Sequence, residues 1–298
     1  MTINFSTSTG TYRWRPAAWL RAAGGDAHTF LQGQFSNDLR PLTQATSTCI
    51  YGLWLTAKGR VLADSFILRG ASPDEFWIGS YFSPGASLRE RLENHIVADD
   101  VVIEDATADW MGLSVLGARA ERILGGGSRP DVFVFPGRRT RAGGAEAVFR
   151  VAAGEPAGIT EPPITDLTAD DIARLRIADG IPAIPVDLGP ADLPHEAGLE
   201  VEAVSGSKGC YVGQEVMARL KSVRRRLVRV SGPAGPIPGV PAPLFAQGRP
   251  IGELRTVVGD GAGGWIGLAL VQRWQVAADS RVSLAATDAP ALAVLDLK

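Results

Sequence analysis

Short apolar runs separated by glycine, proline and charged residues recur along the 298-residue chain. Two of these runs, residues 48–55 and 60–68, flank the turn 56–59, where Gly59 is free to adopt positive φ. This pattern predicts a β-hairpin, and residues 75–79 predict a third strand. Further strands are predicted at residues 101–104, 111–116, 131–135 and 147–152.

Apolar residues spaced three or four positions apart predict helices between these strands. Asp26 is a candidate N-cap, Ser83 is a candidate N-cap ahead of Pro84, and Gly180 is a candidate C-terminal glycine. Helices are predicted at residues 27–38, 84–96, 118–124, 169–179 and 214–221. Residues from 13 to the first helix are predicted to be a connecting segment. Loops are predicted at residues 125–127 and 138–144, and an extended, proline-rich passage at 155–163.

The pattern of apolar residues changes after residue 223, beyond which no helix of more than two turns is evident. Short β-like runs punctuated by glycine and proline predict a small antiparallel β-barrel there. We therefore predict two domains, residues 1–223 and 224–298. Composition agrees with many turns and short strands, because 35 glycines and 20 prolines accompany an ordinary 45% of hydrophobic residues.

Charge and cysteine content exclude several classes of function. The net charge of −2 predicts no general attraction to nucleic acid, and no apolar run of ~20 residues predicts a membrane span. The N-terminus lacks the pattern of a secretory signal. Cys49 and Cys210 lie far apart and form no disulfide framework or CxxC pair, so we predict a reducing, cytoplasmic compartment and no metal site.

The segment of residues 208–215, Lys-Gly-Cys-Tyr-Val-Gly-Gln-Glu, concentrates reactive groups in a way that no structural segment requires. Cys210 is predicted to lie just before a helix, where free backbone N–H groups stabilise an anion such as a thiolate. Lys208 adds positive potential nearby. Gln214 and Glu215 offer paired donors and acceptors to a heterocycle. The alternative interpretation is a buried structural cysteine in a tight strand–helix junction.

Other candidate residues each have a structural alternative. Asp38 and Asp64 are carboxylates that suit a pterin amino group or simply cap a turn. His195, in a long proline-rich loop, is a candidate base for Cys210 or an ordinary surface histidine. Residues 259–264 fit GxGxxG, but an apparent strand follows them, so they predict a hairpin loop and not a dinucleotide site.

The 208–215 segment resembles the signature of the YgfZ family, folate-binding proteins related to the T-protein (aminomethyltransferase) of glycine cleavage. Several other stretches agree in order and spacing with that family. They are Phe30-Leu31-Gln32-Gly33-Gln34, Asn37-Asp38-Leu39, Tyr51-Gly52, Lys58-Gly59-Arg60-Val61-Leu62-Ala63-Asp64 and Arg176 followed by Gly180-Ile181-Pro182. The resemblance extends over nearly the whole chain.

The resemblance implies an α+β fold: a T-protein-like folate-binding body of mixed and antiparallel sheets, with helices around a central channel, and a C-terminal barrel. It implies binding of tetrahydrofolate or a one-carbon derivative, and iron–sulfur client or assembly proteins as partners. Cys210 and Lys208 are then the functional pair, and the candidate folate contacts are Asp38, Arg176, Gln214 and Glu215. Trp19 is a further candidate as a stacking surface for the ligand, or is alternatively a core tryptophan.

Two positions depart from the related sequences. Ala178 stands where T-protein-like sequences carry a glutamate, and Ala183 stands where some family members carry an aromatic residue. These losses weaken the case for pterin recognition at the two positions, and Ala178 removes one candidate for the carboxylate that a transferase needs. Two alternatives stay open beside a folate-binding accessory factor. One is a folate-dependent one-carbon transferase, with aminomethyl transfer as the leading example. The other is a non-catalytic scaffold that binds protein partners.

Overall fold

A computed structural model describes residues 9–45, 47–117, 120–124, 129–155 and 164–295. The predicted loop at 125–127 and almost all of the predicted proline-rich passage at 155–163 lie outside the described residues. No described helix is long and apolar enough to cross a membrane.

Strands form most of the regular structure, as the glycine- and proline-rich composition indicates. Numbered along the chain, they are β1 (Thr9–Trp14), β2 (Ala18–Ala23), β3 (Cys49–Leu55), β4 (Val61–Arg69), β5 (Glu75–Ser80), β6 (Val102–Asp105), β7 (Trp110–Leu116), β8 (Val132–Pro136), β9 (Gly144–Arg150), β10 (Ile164–Asp166), β11 (Arg225–Gly232), β12 (Ala242–Ala246), β13 (Arg249–Gly259), β14 (Trp265–Gln272), β15 (Arg281–Val282) and β16 (Leu292–Leu295).

Helices are short and lie between the strands. They are α1 (Ala27–Gln34), α2 (Arg40–Thr43), α3 (Gly85–Glu93), α4 (Ala120–Ile123), α5 (Ala169–Ala178), α6 (Glu200–Ala203) and α7 (Gln214–Arg219). Single 3₁₀ turns occupy Thr107–Asp109, Val151–Ala153, Pro194–Glu196 and Arg273–Gln275.

The body contains two five-stranded sheets. Sheet 1 has the order β10-β1-β7-β9-β8, and its β1–β10 pair is parallel whereas the other pairs are antiparallel. Sheet 2 has the order β3-β4-β5-β2-β6 and is antiparallel throughout. The β3–β4 pair confirms the predicted hairpin, and Gly59 in its turn has φ of +69°.

Alternation along the strands decides what each sheet face covers. On sheet 2, Leu20 and Ile78 pack beneath α1 and α3. The residue before Leu20 on β2, Trp19, faces sheet 1 and joins an aromatic cluster between the two sheets. On sheet 1, the opposite face of β7 packs against α4 through Leu113 and Val115. The body is therefore layered as helices, sheet 2, sheet 1 and a further helix.

The C-terminal residues form an antiparallel sheet in the order β12-β13-β14-β11-β16-β15. Phe245 and Ser283 exchange two backbone hydrogen bonds of 2.9 Å, which join the two edges of this sheet and nearly close it into a barrel. A cluster that includes Leu55, Leu227 and Leu268 packs the barrel against the body. The first barrel strand begins at Arg225.

Several local predictions were wrong. Residues 13–26 were predicted as a connecting segment but contain the end of β1 and all of β2, because the strand pattern is obscured by buried alanines and tryptophans. The first helix ends at Gln34 rather than near residue 38, and a separate α2 follows it. Ser83 does not cap α3, because its hydroxyl donates to Asp64 Oδ1 at 2.8 Å and to the Ile184 carbonyl at 3.0 Å.

The prediction for α5 is confirmed. Thr168 and Asp171 form a reciprocal capping box at its N-terminus, and Gly180 follows its end with φ of +66°. A hydrogen-bonded cap and a left-handed glycine are strong local signals, which explains why this helix could be located from sequence.

Candidate functional site

The 208–215 segment forms a loop that leads directly into α7. Gly213 has φ of +87° at the N-cap position, and a Cβ there would lie 2.7 Å from the Thr56 carbonyl oxygen. Only glycine satisfies both conditions. The N–H of Val212 donates to the Gly33 carbonyl at 3.1 Å, so the segment also contacts α1. Gly209 has open space around it and no such requirement.

Lys208 anchors this segment to the end of α1. Its ammonium donates to the carbonyl oxygens of Gln32 at 2.6 Å, Phe35 at 2.6 Å and Asn37 at 3.0 Å. The side chain is buried, and burial lowers the pKa of this lysine to about 8. Carbonyls at a helix C-terminus attract a cation, which explains the location. Because these three hydrogen bonds use all three N–H donors of the ammonium, Lys208 serves to position the segment.

Cys210 lies two residues further on and is exposed. Its thiol makes no hydrogen bond with any residue that the structure describes, including His195. The alternative of a buried structural cysteine is therefore wrong. The nearest helical cation, Arg219, pairs with Glu215 at 2.9 Å, and both side chains are largely exposed. The arrangement presents an unencumbered thiol on a fixed backbone.

A cavity of about 210 Å³ lies beside the segment and is lined by Tyr211, Gln214 and Met217 together with His195 and Glu200. Gln214 Oε1 accepts a hydrogen bond from the Tyr211 N–H at 3.2 Å. His195 Nδ1 and Glu200 Oε2 are buried and have no hydrogen-bond partner among the described residues. Both therefore have hydrogen-bonding capacity left for a ligand.

Asn37 connects the 208–215 segment to the interior of the body. Its carbonyl accepts from Lys208, and its Nδ2 donates to the carbonyl oxygens of Tyr51 at 2.8 Å and Glu202 at 3.1 Å. Tyr51 in turn donates its hydroxyl to Asp64 Oδ2 at 3.0 Å. Lys208, Asn37, Tyr51 and Asp64 are thus linked residue by residue, through hydrogen bonds to the backbone of Asn37 and Tyr51 and from the Tyr51 hydroxyl.

Asp64 is the centre of this interior region. Its side chain is 4% exposed, and Oδ1 accepts from Ser80 at 2.9 Å and Ser83 at 2.8 Å. Burial raises the pKa of the Asp64 carboxyl. The guanidinium of Arg138 stacks 3.6 Å from the centroid of the Tyr51 ring. A buried acid, an aromatic face and a cation therefore meet at one place.

Sequence reasoning missed Arg138 and its neighbours Arg139 and Glu146. Residues 138–144 had been interpreted as a loop, and no local pattern distinguishes a buried arginine from an exposed one. Arg138 pairs with Glu202, and its backbone N–H donates to the Tyr81 hydroxyl at 3.2 Å. Only the long-range contact between two sheets reveals these roles.

The remaining predicted ligand contacts occupy different environments. Trp19 is fully buried among Trp77, Trp110 and other aromatic side chains of the inter-sheet cluster and has no open face. Arg176 is buried, and its guanidinium donates to Asp187 at 2.5 Å. Asp38 lies near the surface, where the Arg40 guanidinium lowers the pKa of its carboxyl.

The structure thus brings Lys208 close to Asp38 at the end of α1, places Cys210 and Gln214 on the adjoining 208–215 segment, and leaves Trp19 and Arg176 in the packed interior. Among the described residues, no group of three or more histidine, cysteine, aspartate or glutamate side chains is placed to hold a metal ion.

Comparison with known proteins agrees with this architecture. Residues 15–134 match the profile of the GCVT N-terminal domain, and residues 224–295 match that of the CAF17 C-terminal β-barrel domain. The mouse protein named "Iron-sulfur cluster assembly factor IBA57, mitochondrial" is 29% identical over 293 residues, covering 88% of this chain and 77% of its own. Its human counterpart is 28% identical over 281 residues, covering 85% and 74%.

A chloroplastic protein of Arabidopsis thaliana, named as a putative transferase, is 25% identical over 290 residues, covering 85% of this chain and 63% of its own. Among solved structures, the glycine cleavage system aminomethyltransferase T from Bartonella henselae superposes with a TM-score of 0.81 at 16% identity, over 98% of this chain and 86% of that one. The predicted fold class is thereby confirmed. This chain combines a GCVT-like domain with a CAF17-type C-terminal β-barrel in a T-protein fold.

Proposed function

We propose that this protein is a tetrahydrofolate-binding accessory factor for the assembly or maintenance of iron–sulfur enzymes, of the YgfZ type, with Cys210 as its functional thiol. The observation that carries the proposal is the exposed Cys210 on a loop that the buried Lys208 holds in place. Similarity to proteins named as iron–sulfur cluster assembly factors supports it.

Cys210 acts at the surface, in contact with a partner. Iron–sulfur clusters are held mainly by several cysteine thiolates. The only other cysteine, Cys49, is partly covered inside the body, where burial raises the pKa of its thiol. A single exposed thiol supplies one ligand to iron at most. The client or assembly protein therefore supplies the remaining ligands, and the cluster is cargo rather than a resident cofactor.

The interior cluster of Asp64, Tyr51 and Arg138 has the chemistry that a reduced folate requires, provided that the ligand takes the place of the Tyr51 hydroxyl at Asp64 Oδ2, because Ser80 and Ser83 already donate to Oδ1. A carboxylate accepts the paired N–H donors of an aminopyrimidine ring, a tyrosine face stacks on the ring, and an arginine complements the carboxylates of the tail. When bound, tetrahydrofolate supplies nitrogen atoms that carry a one-carbon unit. Asp64, which has the raised pKa, holds or releases a proton at its Oδ2 beside that ring.

Gln214 and Glu215 belong to the 208–215 segment, and Asp38 follows Asn37, whose carbonyl accepts a hydrogen bond from Lys208. All three remain proposed ligand contacts. Trp19 and Arg176 support the site through packing. We further propose that residues 1–223 form the folate-binding unit and residues 224–298 a separate barrel unit. The cytoplasmic location stays a prediction, because the mammalian relatives are named as mitochondrial.

Isothermal titration of the purified protein with tetrahydrofolate tests the ligand. We expect binding that Asp64→Asn weakens by about tenfold or more, since a hydrogen bond to a charged group is worth ~1.5–3 kcal/mol. Asp288→Asn, which alters an exposed carboxylate of the barrel, is the matched control and leaves the affinity unchanged. Absence of heat with every reduced folate would remove folate from the proposal.

Complementation tests the thiol. In a strain that lacks this protein, we expect Cys210→Ala to fold normally but to leave the activity of iron–sulfur enzymes low. Cys49→Ala is the matched control and restores that activity. Full rescue by Cys210→Ala would show that the thiol is dispensable, whatever the outcome with folate.

A further inference from the structure

A second cavity, about 650 Å³ in volume, lies at the junction between the body and the barrel. Its lining comes from the β3–β4 hairpin, the loop after Gly189, the linker at residues 220–225 and the end of β14. Its volume falls within the range of ~300–1,000 Å³ that ligand sites occupy. None of the residues proposed above for folate or for the thiol lines it.

The lining carries an excess of positive charge. Arg225 is neutralised, because its guanidinium donates to Glu196 at 2.9 Å and to Asp192 at 2.9 Å. Among the described residues, the Arg60 guanidinium donates only to the Ala191 carbonyl, at 2.8 Å, and the Arg224 side chain contacts no acid. Two cations, Arg60 and Arg224, therefore face the cavity without a counter-charge.

The surrounding sequence extends this positive surface. Residues 219–229 contain six of the chain's 30 basic residues and none of its 32 acidic residues. Arg219 and Arg225 in this run pair with acids, so among the described residues the uncompensated positive charge that lines the cavity comes from Arg60 and Arg224. Such a local field accelerates and orients the approach of an anionic partner.

Trp274 stands at the rim of the same cavity with 66% of its surface exposed. The other six tryptophans of the chain are all buried. Exposure of one tryptophan beside arginines is typical of a protein-binding surface, since tryptophan and arginine are the residues most enriched at interface hot spots.

We propose that this junction cavity is a docking site for an acidic, extended segment of a partner protein that carries an aromatic or aliphatic side chain between its carboxylates. Arg60 and Arg224 line the cavity together with the apolar side chains of Leu193, Leu220 and Val223. This combination of cations and apolar side chains complements a segment that carries both carboxylates and an apolar residue. A free phosphate requires donors that converge on one point, and the converging donors of Arg225 are already occupied.

Fluorescence anisotropy with the full-length protein tests this assignment. The probe is a fluorescein-labelled peptide of glutamates around one central phenylalanine. We expect binding that Arg224→Glu weakens by about tenfold and Trp274→Ala by about fivefold, as for a charge pair and an aromatic anchor. Arg249→Glu, which reverses an exposed arginine of the barrel outside the cavity, is the matched control and changes the affinity by less than about twofold.

A second readout identifies the location directly. Because Trp274 is the exposed tryptophan, acrylamide quenching of the intrinsic fluorescence reports mainly on this residue. We expect the glutamate peptide to protect it, and a lysine peptide of the same design to have no effect. If the anisotropy shows that the glutamate peptide binds but Trp274 is not protected from acrylamide, the peptide binds elsewhere and the proposal is overturned.

Competition distinguishes the class of ligand. A short oligothymidylate that binds more tightly than the peptide would make the surface a nucleic-acid site and contradict the proposal. Displacement of the peptide by an equal concentration of inorganic phosphate would reduce it to a small-anion site. Weak competition by both, with the peptide still bound, supports a polypeptide partner.

Discussion

The interior around Glu146 and the surface around Cys210 differ in how many hydrogen bonds their polar side chains make. Glu146 is fully buried and accepts hydrogen bonds from Trp14 at 3.0 Å, Ser114 at 2.7 Å and Tyr81 at 2.7 Å. Cys210 is exposed and has no hydrogen-bond partner in the described chain. The first region is held together by three hydrogen bonds that converge on one carboxylate. The second combines a fixed backbone with a side chain left free to react.

This contrast indicates which positions tolerate substitution without loss of stability. Removing a buried, hydrogen-bonded carboxylate lowers stability strongly, because each of its former donors stays buried without a hydrogen-bond partner. An exposed thiol contributes almost nothing to stability. Residues that hold the thiol loop, such as Lys208, lie between these extremes, and four predictions test that order.

The largest effect is expected for Glu146→Leu. This change leaves the buried Arg139 guanidinium, whose Nε lies 3.7 Å from Glu146 Oε1, without its counter-charge. We expect the free energy of unfolding to fall by ~3–5 kcal/mol in urea titration. Glu146→Gln keeps an acceptor for the neighbouring donors and should lose less. Equal stability of both variants with the wild type would remove the contrast between the two regions.

The next effect is expected for Lys208→Met, which removes a donor from three carbonyl oxygens at the end of α1. We expect a loss of ~2 kcal/mol in the same titration, since buried acceptors are left unpaired. Hydrogen exchange should accelerate at the 208–215 segment. Lys58→Met, at the exposed tip of the β3–β4 hairpin, is the control and changes stability by less than ~0.5 kcal/mol. A similar loss in both variants would contradict the anchoring role.

A smaller effect concerns Asp171 in the capping box of α5. The hydrogen bond from Thr168, followed by that from Arg174, lowers the pKa of this carboxyl to about 2, below its ordinary value of 3.8. Its contribution to stability is therefore fully present above pH 4 and is lost as the pH falls towards 2. Asp171→Asn should cost ~0.5–1 kcal/mol at pH 7 and flatten this part of the stability profile. An unchanged profile in acid denaturation would contradict the cap.

The smallest effect on stability, and the largest on reactivity, is expected at the two cysteines. Cys210→Ser should change the free energy of unfolding by less than ~0.5 kcal/mol. Iodoacetamide should alkylate Cys210 in the folded protein and Cys49 only after unfolding, because burial keeps the Cys49 thiol protonated. Peptide mass spectrometry measures both. Equal labelling of the two thiols in the folded state would break the comparison.

Much of the fold was predictable because its signals are local. The β3–β4 hairpin follows from two apolar runs around Gly59, and α5 follows from Thr168 and Gly180. The strand β2 was missed because Ala18, Trp19 and Leu20 are buried on both faces of sheet 2, which removes the alternation of polar and apolar residues.

The sequence by itself determined the strand-rich body, the barrel and the importance of the 208–215 segment. Hairpins, helix caps and a short motif depend on residues that are close together in the chain. Only the tertiary structure decided the roles within that segment. Lys208 turned out to bind the carbonyls of Gln32, Phe35 and Asn37, more than 170 residues earlier, while Cys210 faces solvent. Contacts between residues so distant depend on how the layers pack, which no local pattern records.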